Sequence, residues 1–158
     1  MATRTEGGGG KLSGKVAIVT GASKGIGRAI CVELAQCGYH IIVNYKSDDE
    51  GASQTLEKVK KEGSNGRIMR FDVANYDETQ NAMDDILKSF ASIDVLVNNA
   101  SLTNTERHFL DADEEWWNRI IAVNLSSAFL CGQRAANIMA RKGSGVIING
   151  GFTRLAVY

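Results

Sequence analysis

Residues 16 to 30 read VAIVTGASKGIGRAI, and this stretch decides the fold. Its apolar start, Val16–Val19, is typical of a buried strand in a parallel sheet. Glycines follow at positions 21, 25 and 27, and apolar residues then recur with the four-residue spacing of a helix. Glycine tolerates positive φ and lets a ligand approach closely, while a helix N-terminus offers unpaired N–H groups. The stretch therefore predicts a strand, a glycine-rich turn and a helix that together form a site for a phosphate or pyrophosphate.

The glycine-rich turn also has a plainer interpretation. Glycines between a strand and a helix occur where the two elements simply pack tightly together. The spacing here, G-x-x-x-G-x-G, differs from the G-x-G-x-x-G pattern of dinucleotide-binding turns. Taken alone, the turn leaves both alternatives open.

The composition is that of an ordinary globular protein. Of the 158 residues 44% are hydrophobic and 23% are charged, and 18 basic residues balance 18 acidic ones. This balance gives no reason to expect a nucleic acid or an acidic membrane surface as a partner. The sequence has no run of eighteen apolar residues, so no transmembrane helix is predicted.

Length and cysteine usage suggest a single cytoplasmic domain. Residues 1–13 contain four consecutive glycines and are expected to form a flexible N-terminal tail, which leaves residues 14–158 as the domain. Cys31, Cys37 and Cys131 form no C-x-x-C pair, so we expect reduced thiols, each a small core residue. No metal site is predicted.

Strands and helices alternate along the rest of the chain. Apolar runs predict further strands at 40–45, 67–73, 93–100 and 146–149, and helical spacing predicts helices at about 47–61, 76–90 and 113–140. Strict alternation implies right-handed βαβ units and an α/β fold with a parallel sheet.

The predicted strands end in polar residues or glycine. These ends are Gly21, Asn44 to Ser47, Asp72-Val73, Asn98 to Ala100 and Asn149-Gly150. Ligands of such sheets bind at the carboxyl ends of the strands, so the coincidence of five such ends favours a site there. Strand ends are often polar in any case, and each one alone means little.

One polar residue interrupts the apolar face of the long predicted helix. Asn124 falls among Trp117, Ile121, Ala128 and Cys131. A buried amide without partners costs about 1–3 kcal/mol, so this side chain needs hydrogen bonds. It either fixes the packing of the helix or presents a polar group to the active cleft.

Four segments resemble the short-chain dehydrogenases/reductases. Residues 20–27, TGASKGIG, match the cofactor motif T-G-x-x-x-G-x-G, and Asp72-Val73 resembles the pair beside the adenine. Asn98-Asn99-Ala100 matches the start of N-N-A-G, with Ser101 in place of glycine. Val123-Asn124-Leu125 resembles the segment that carries the catalytic asparagine of the family.

The resemblance implies a fold and a chemistry. Order and spacing agree across residues 14–149, most closely with 3-oxoacyl-acyl-carrier-protein reductases and glucose dehydrogenases. The implied fold is a Rossmann-like parallel sheet with helices on both faces, incomplete at about five of the usual seven strands. The implied reaction is hydride transfer between a nicotinamide and a small carbonyl or alcohol. A sugar epimerase or a methyltransferase is disfavoured by the Asn99 and Asn124 matches.

The catalytic residues of the family are matched only in part. Asn124 matches the asparagine, and Ala156-Val157-Tyr158 resembles the start of the Y-x-x-x-K segment, so Tyr158 is a candidate for the motif tyrosine, although a terminal tyrosine without a role is equally consistent. Phe152 stands where the serine is expected, and no lysine follows Tyr158. We therefore expect a fragment, a truncated isoform or an inactive relative that does not catalyse hydride transfer. The alternative function is a non-catalytic nucleotide-binding or interaction module.

The resemblance also implies a cofactor site and its preference. NAD sites place an acid near the end of the second strand, but residues 44–47 hold none, while Lys46, Ser47 and Lys24 can meet a 2′-phosphate. We expect NADP(H) over NAD(H), although Asp48 and Asp49 lie close by.

The long helix and the fifth strand lack neighbours within these residues, so self-association as a homo-oligomer is expected. The residues implied to bind the cofactor are Gly21, Ser23, Lys24, Gly25, Ile26, Gly27, Tyr45, Lys46, Ser47, Asp72, Val73, Asn99, Ala100 and Ser101.

Overall fold

Five parallel strands form one sheet in the order β3-β2-β1-β4-β5. A computed structural model describes residues 14–90, 92–102 and 109–151 of the chain. The strands are β1 (Val16–Val19), β2 (His40–Tyr45), β3 (Gly66–Arg70), β4 (Val95–Asn98) and β5 (Val146–Asn149). All four strand pairings are parallel. The sheet confirms the predicted α/β Rossmann-like fold with five strands.

The helices lie on both faces of this sheet. They are α1 (Gly25–Gln36), α2 (Asp49–Lys61), α3 (Tyr76–Phe90), α4 (Glu114–Ile121) and α5 (Ser127–Lys142), with a short 3₁₀ turn at Phe109–Asp111. Helices α1 and α2 pack on one face, where β1 contributes Ala17 and Val19; α3 and α5 pack on the other, where it contributes Val16 and Ile18. Among the described residues, no helix is long and apolar enough to span a membrane.

The long helix predicted at 113–140 is not uniform. Its α-helical parts, α4 and α5, are joined by a π-helical segment at Ala122–Ser126. A π-turn changes which side chains share a face, and such turns are common at functional sites. The single apolar face predicted from α-helical spacing is therefore wrong in its first half: Trp117 and Asn124 are exposed, whereas Cys131 and Ala135 are fully buried.

Two predicted strands end earlier than expected. β3 ends at Arg70: the Phe71 N–H still donates to the Tyr45 carbonyl at 3.1 Å, whereas the Asp72 N–H donates to the Glu78 carboxylate at 2.8 Å. Residues 99 and 100 leave β4 because both N–H groups donate to the Thr20 hydroxyl, and the predicted start at 93 is also two residues early. Side-chain acceptors thus replace the strand ladder at the carboxyl edge of the sheet.

The cysteines differ in burial. Cys31 and Cys131 are fully buried, and burial raises the pKa of each thiol to about 12, so both are neutral core residues. Cys37 is exposed at the end of α1, so the expectation of three core cysteines is wrong for this residue.

Asp94 ties β1, β5 and α5 to the start of β4 through its buried carboxylate and its backbone carbonyl. Asp94 Oδ2 accepts a hydrogen bond of 2.9 Å from the Val16 N–H, and Oδ1 pairs with the Lys142 ammonium. The Asp94 carbonyl also accepts from the Val146 N–H at 2.9 Å. Because Val16 is fully buried, its N–H has no access to water as a substitute partner.

We expect Asp94→Ala to lower the free energy of unfolding by about 2–3 kcal/mol, since it leaves a buried N–H unsatisfied. The matched variant Asp94→Asn keeps an acceptor for Val16 and releases only the half-exposed Lys142, so its cost should stay within about 1 kcal/mol. Urea denaturation of the three chains measures the difference. Equal losses in both variants would show that the ion pair, and not the Val16 hydrogen bond, is the stabilising contact.

Candidate cofactor-binding cleft

A cleft of about 870 Å³ opens at the carboxyl edge of the sheet. Its lining comes from the glycine turn after β1, from the ends of β2, β3, β4 and β5, and from helix α4 with the π-segment. The structure brings together around this one cleft all fourteen residues that the sequence predicted to bind a cofactor. Their contact with a nucleotide stays a prediction.

The predicted catalytic residues are placed differently. Asn124 does not line the cleft, although its neighbour Val123 does. Tyr158 and Phe152 lie outside the described residues. The lining also includes residues that were not predicted to bind the cofactor, among them Asn44, Asp48 and Arg119.

The Thr20 hydroxyl fixes the glycine turn against β4. Its Oγ1 accepts hydrogen bonds from the N–H groups of Asn99 and Ala100, each at 2.9 Å. In return the Asn99 side-chain amide donates to the carbonyls of Thr20 at 2.8 Å and Gly21 at 3.1 Å. The turn therefore has a fixed shape without any ligand.

Asn44 fixes the same turn from β2. This side chain is only 1% exposed, and its Oδ1 accepts a hydrogen bond of 3.1 Å from the Gly21 N–H. Its Nδ2 donates to the Phe71 carbonyl at 3.0 Å and so links the turn to the end of β3. The sequence signal for this role is a lone amide in a buried apolar strand, although the pattern alone identifies Asn44 only as a polar strand end.

Two of the three motif glycines are required by close contacts. Gly21 has a φ of +61°, and a Cβ there would lie 2.8 Å from the Ala100 Cα. A Cβ at Gly27 would lie 2.5 Å from the Asn99 side-chain nitrogen. Gly25, with a φ of +57°, differs because no atom of the described chain lies within 4 Å of its Cβ position. The Gly25 side of the turn therefore opens onto the cleft, where a ligand can approach the backbone.

The N-terminus of α1 has no side-chain cap among the described residues. Asp48 caps α2 through the Gly51 N–H at 2.9 Å, and Asp113 caps α4 through the Trp116 N–H at 2.7 Å. The corresponding residue of α1 is Lys24, whose side chain makes no capping bond. First-turn N–H groups and the positive end of the helix dipole are thus left for an anion at the cleft.

Charged side chains gather where β2 and β3 end. Lys46 Nζ lies 2.5 Å from Asp72 Oδ2, and Asp72 Oδ1 accepts from the Ala74 N–H at 3.0 Å. Partial burial by itself raises the pKa of Asp72, but Lys46, Ala74 and Arg119 outweigh it and hold that pKa below its usual range. The Gly51 N–H and the Ser23 side chain likewise lower the pKa of Asp48. Both carboxylates are therefore ionised at neutral pH.

Asn124 makes a specific contact beside the cleft. Its Oδ1 accepts a hydrogen bond of 2.7 Å from the Leu102 N–H, and its Nδ2 donates to the Leu102 carbonyl at 3.1 Å. The predicted burial of this amide is wrong because the π-segment turns it toward the loop after β4. Its partner is that loop, and its catalytic role stays a prediction.

The family model of the short chain dehydrogenases matches residues 15–151. The chain belongs to the short-chain dehydrogenase family. The 3-oxoacyl-[acyl-carrier-protein] reductase of Staphylococcus aureus is 40% identical to it over 135 residues, which are 85% of this chain and 54% of the reductase. Glucose 1-dehydrogenase 2 of Bacillus subtilis is 38% identical over 130 residues, covering 82% and 50% of the two chains.

Solved structures of short-chain dehydrogenases resemble this chain closely. The crystal structure of a metagenomic short-chain oxidoreductase in complex with NADP superimposes with a TM-score of 0.83 at 31% identity, over 88% of this chain and 62% of that one. The chain spans about half the length of the curated relatives it matches.

Gly27 offers a test of the turn geometry in this chain. We expect Gly27→Ala to lower the free energy of unfolding by about 1–3 kcal/mol, because its methyl group would overlap the Gly21 carbonyl oxygen and the Ala22 Cα as well as the Asn99 amide. Thermal denaturation followed by circular dichroism measures the change.

Gly132→Ala in α5 is the matched control. The nearest atom to its Cβ position is 3.9 Å away, and alanine is favoured over glycine in a helix by about 1 kcal/mol. This variant should therefore be as stable as the original chain or more so. A Gly27→Ala chain that melts no earlier than Gly132→Ala would contradict the assigned contact.

Proposed function

We propose that this chain is the NADP(H)-binding part of an oxidoreductase that transfers hydride between the nicotinamide and a small carbonyl or alcohol. The observation that carries the proposal is the open, uncapped N-terminus of α1 beside Gly25, in a cleft of about 870 Å³. This volume falls within the roughly 300–1,000 Å³ typical of ligand pockets. A preformed backbone site for an anion fits the diphosphate of a dinucleotide.

The lining residues fit the remaining parts of the cofactor. We assign the backbone of residues 21–27 to the diphosphate, Asp72 and Val73 to the adenine, and residues 99–101 to the part of the cleft beyond the turn. Lys24, Lys46 and Ser47, which line the cleft near the end of β2, are assigned to the 2′-phosphate.

The preference for NADP(H) is supported by the charges at the end of β2. Residues 44–47 contain no acid for a ribose 2′-hydroxyl, and Lys46 and Lys24 are cations. The nearby Asp48, which seemed to oppose this preference, is engaged in capping α2. The similar metagenomic oxidoreductase was solved in complex with NADP.

The bound nicotinamide supplies or accepts the hydride, and the family's tyrosine moves the proton. A free tyrosine has a pKa of about 10 and needs a nearby cation to work near neutral pH. We propose that the chain binds the cofactor without turnover, because Phe152 stands where the resemblance places the serine that binds the substrate oxygen. Asn124 would then act on the loop at Leu102 rather than directly on a substrate. A non-catalytic nucleotide-binding module is the second candidate.

Assembly and location are also proposals. Trp117, Leu125 and Phe129 on the α4–α5 segment are exposed apolar side chains and support a homo-oligomer. A cytoplasmic location rests on the free cysteines.

Calorimetric titration tests the cofactor preference. We expect the chain to bind NADP⁺ more tightly than NAD⁺, and Lys46→Ala to weaken NADP⁺ binding roughly tenfold, or ~1.4 kcal/mol, with little effect on NAD⁺. Lys88→Ala is the matched control, because Lys88 pairs with Asp85 on the exposed side of α3. Tighter binding of NAD⁺, or an unchanged NADP⁺ affinity in Lys46→Ala, would refute the preference.

Turnover separates the catalytic from the non-catalytic candidate. With NADPH and a panel of aldehydes, ketones and 3-oxoacyl esters, we expect the absorbance of the reduced nicotinamide to decay no faster than in buffer. Phenylalanine in place of the serine removes a donor to the substrate oxygen, and losing one such donor costs about 10²–10³-fold in rate. Turnover that Tyr158→Phe abolishes would instead establish this chain as an active enzyme.

A further inference from the structure

The two side chains of the Lys46–Asp72 ion pair differ in their exposure to solvent. The Lys46 side chain is 60% exposed and the Asp72 side chain is 23% exposed, with 2.5 Å between Nζ and Oδ2. Lys46 can therefore swing toward solvent or a ligand, whereas the carboxylate is held in place by its surroundings. The affinity of such a cation for a ligand depends on the free energy needed to break its existing ion pair.

The backbone on both sides of this pair is anchored. The Lys46 carbonyl accepts a hydrogen bond of 3.1 Å from Arg70 Nε. The Asp72 N–H donates to Glu78 at 2.8 Å, and the Asp72 carboxylate accepts from the Ala74 N–H at 3.0 Å. Hydrogen bonds therefore hold both residues of the pair in place at the edge where β2 and β3 end.

Both partners line the same cleft as Ser47 and Arg119. A 2′-phosphate that reaches Lys46 has to draw its ammonium from a carboxylate that stays ionised. Asp72 remains compensated after this exchange, because the Ala74 N–H and the charge of Arg119 also act on it. NAD(H), which has no 2′-phosphate, leaves the pair intact.

We propose that Asp72 sets the cofactor preference of this chain by competing with the 2′-phosphate of NADP(H) for the Lys46 ammonium. The inference rests on the proposed binding of NADP(H) and goes beyond it, because it makes a residue assigned to the adenine a specificity determinant. Asp72 thus restrains a preference for NADP(H) that Lys46 alone would make stronger.

The test is the ratio of the dissociation constants for NAD⁺ and NADP⁺, measured by calorimetry. Any contact of Asp72 with the adenine is common to both cofactors and cancels in this ratio. We expect Asp72→Asn, which keeps an acceptor for the Ala74 N–H, to raise the ratio about two- to fivefold. The control Asp85→Asn removes an exposed carboxylate that also pairs with a lysine, away from the cleft, and should leave the ratio unchanged.

A double-mutant cycle identifies the cause. In a Lys46→Ala background, Asp72→Asn should no longer change the ratio, because the ammonium for which it competes is gone. An equal rise in both backgrounds would mean that the carboxylate repels the phosphate directly, and it would overturn the competition. An unchanged ratio in Asp72→Asn alone would overturn it as well.

Failure of the proposed function gives a different result. A ratio at or below one in the original chain, unaffected by Lys46→Ala, would refute the NADP(H) preference itself, and absence of binding by either nucleotide would refute both proposals. If Asp72→Asn does not fold, a carboxyl NMR titration of the original chain replaces it. The pKa of Asp72 should rise when NADP⁺ is added and stay constant with NAD⁺, and equal behaviour with both would overturn the inference.

Discussion

The hydroxyl of Thr20 is the contact on which the cleft depends. It is almost fully buried, accepts two backbone N–H groups from the end of β4 and donates to the Val97 carbonyl at 3.3 Å. Together with Asn44 from β2, it holds the glycine turn between the two strands that flank β1. A turn that is shaped before its ligand arrives avoids part of the ordering cost of binding.

Most of the fold could be predicted because the sheet is buried on both faces. Continuous apolar runs such as Val16–Val19 and Ile41–Val43 leave no choice of strand face, and the helices between them impose parallel pairing. Apart from the start of β4 and the exposed Cys37, the errors fall at the carboxyl edge, at the ends of β3 and β4 and in the π-segment. There side chains such as Glu78, Thr20 and Asn124 bind the backbone, and periodicity carries no information about such bonds.

The candidate site could be predicted in its residues but not in its contacts. Motif order brought the right segments together, since the carboxyl ends of parallel strands meet at one edge. The partners within that edge are distant in sequence: Asn44 binds Gly21, and Lys46 pairs with Asp72. Arg119 gave no signal because it lies on a helix whose faces a π-turn rearranges. Such pairings depend on how the elements pack against one another, and local sequence patterns carry no information about that packing.

The first helix breaks a local rule that its neighbours obey. Asp48 and Asp113 cap α2 and α4 through backbone N–H groups, whereas Lys24, the N-cap residue of α1, makes no side-chain cap. A good N-cap typically stabilises by about 0.5–2 kcal/mol, so the open end is a local loss. A serine or aspartate at position 24 would recover that loss, but its side chain would occupy the donors that face the cleft. Sequences depart from local preferences mainly where a function requires it, and here the unmade hydrogen bonds are the ones an anion can form.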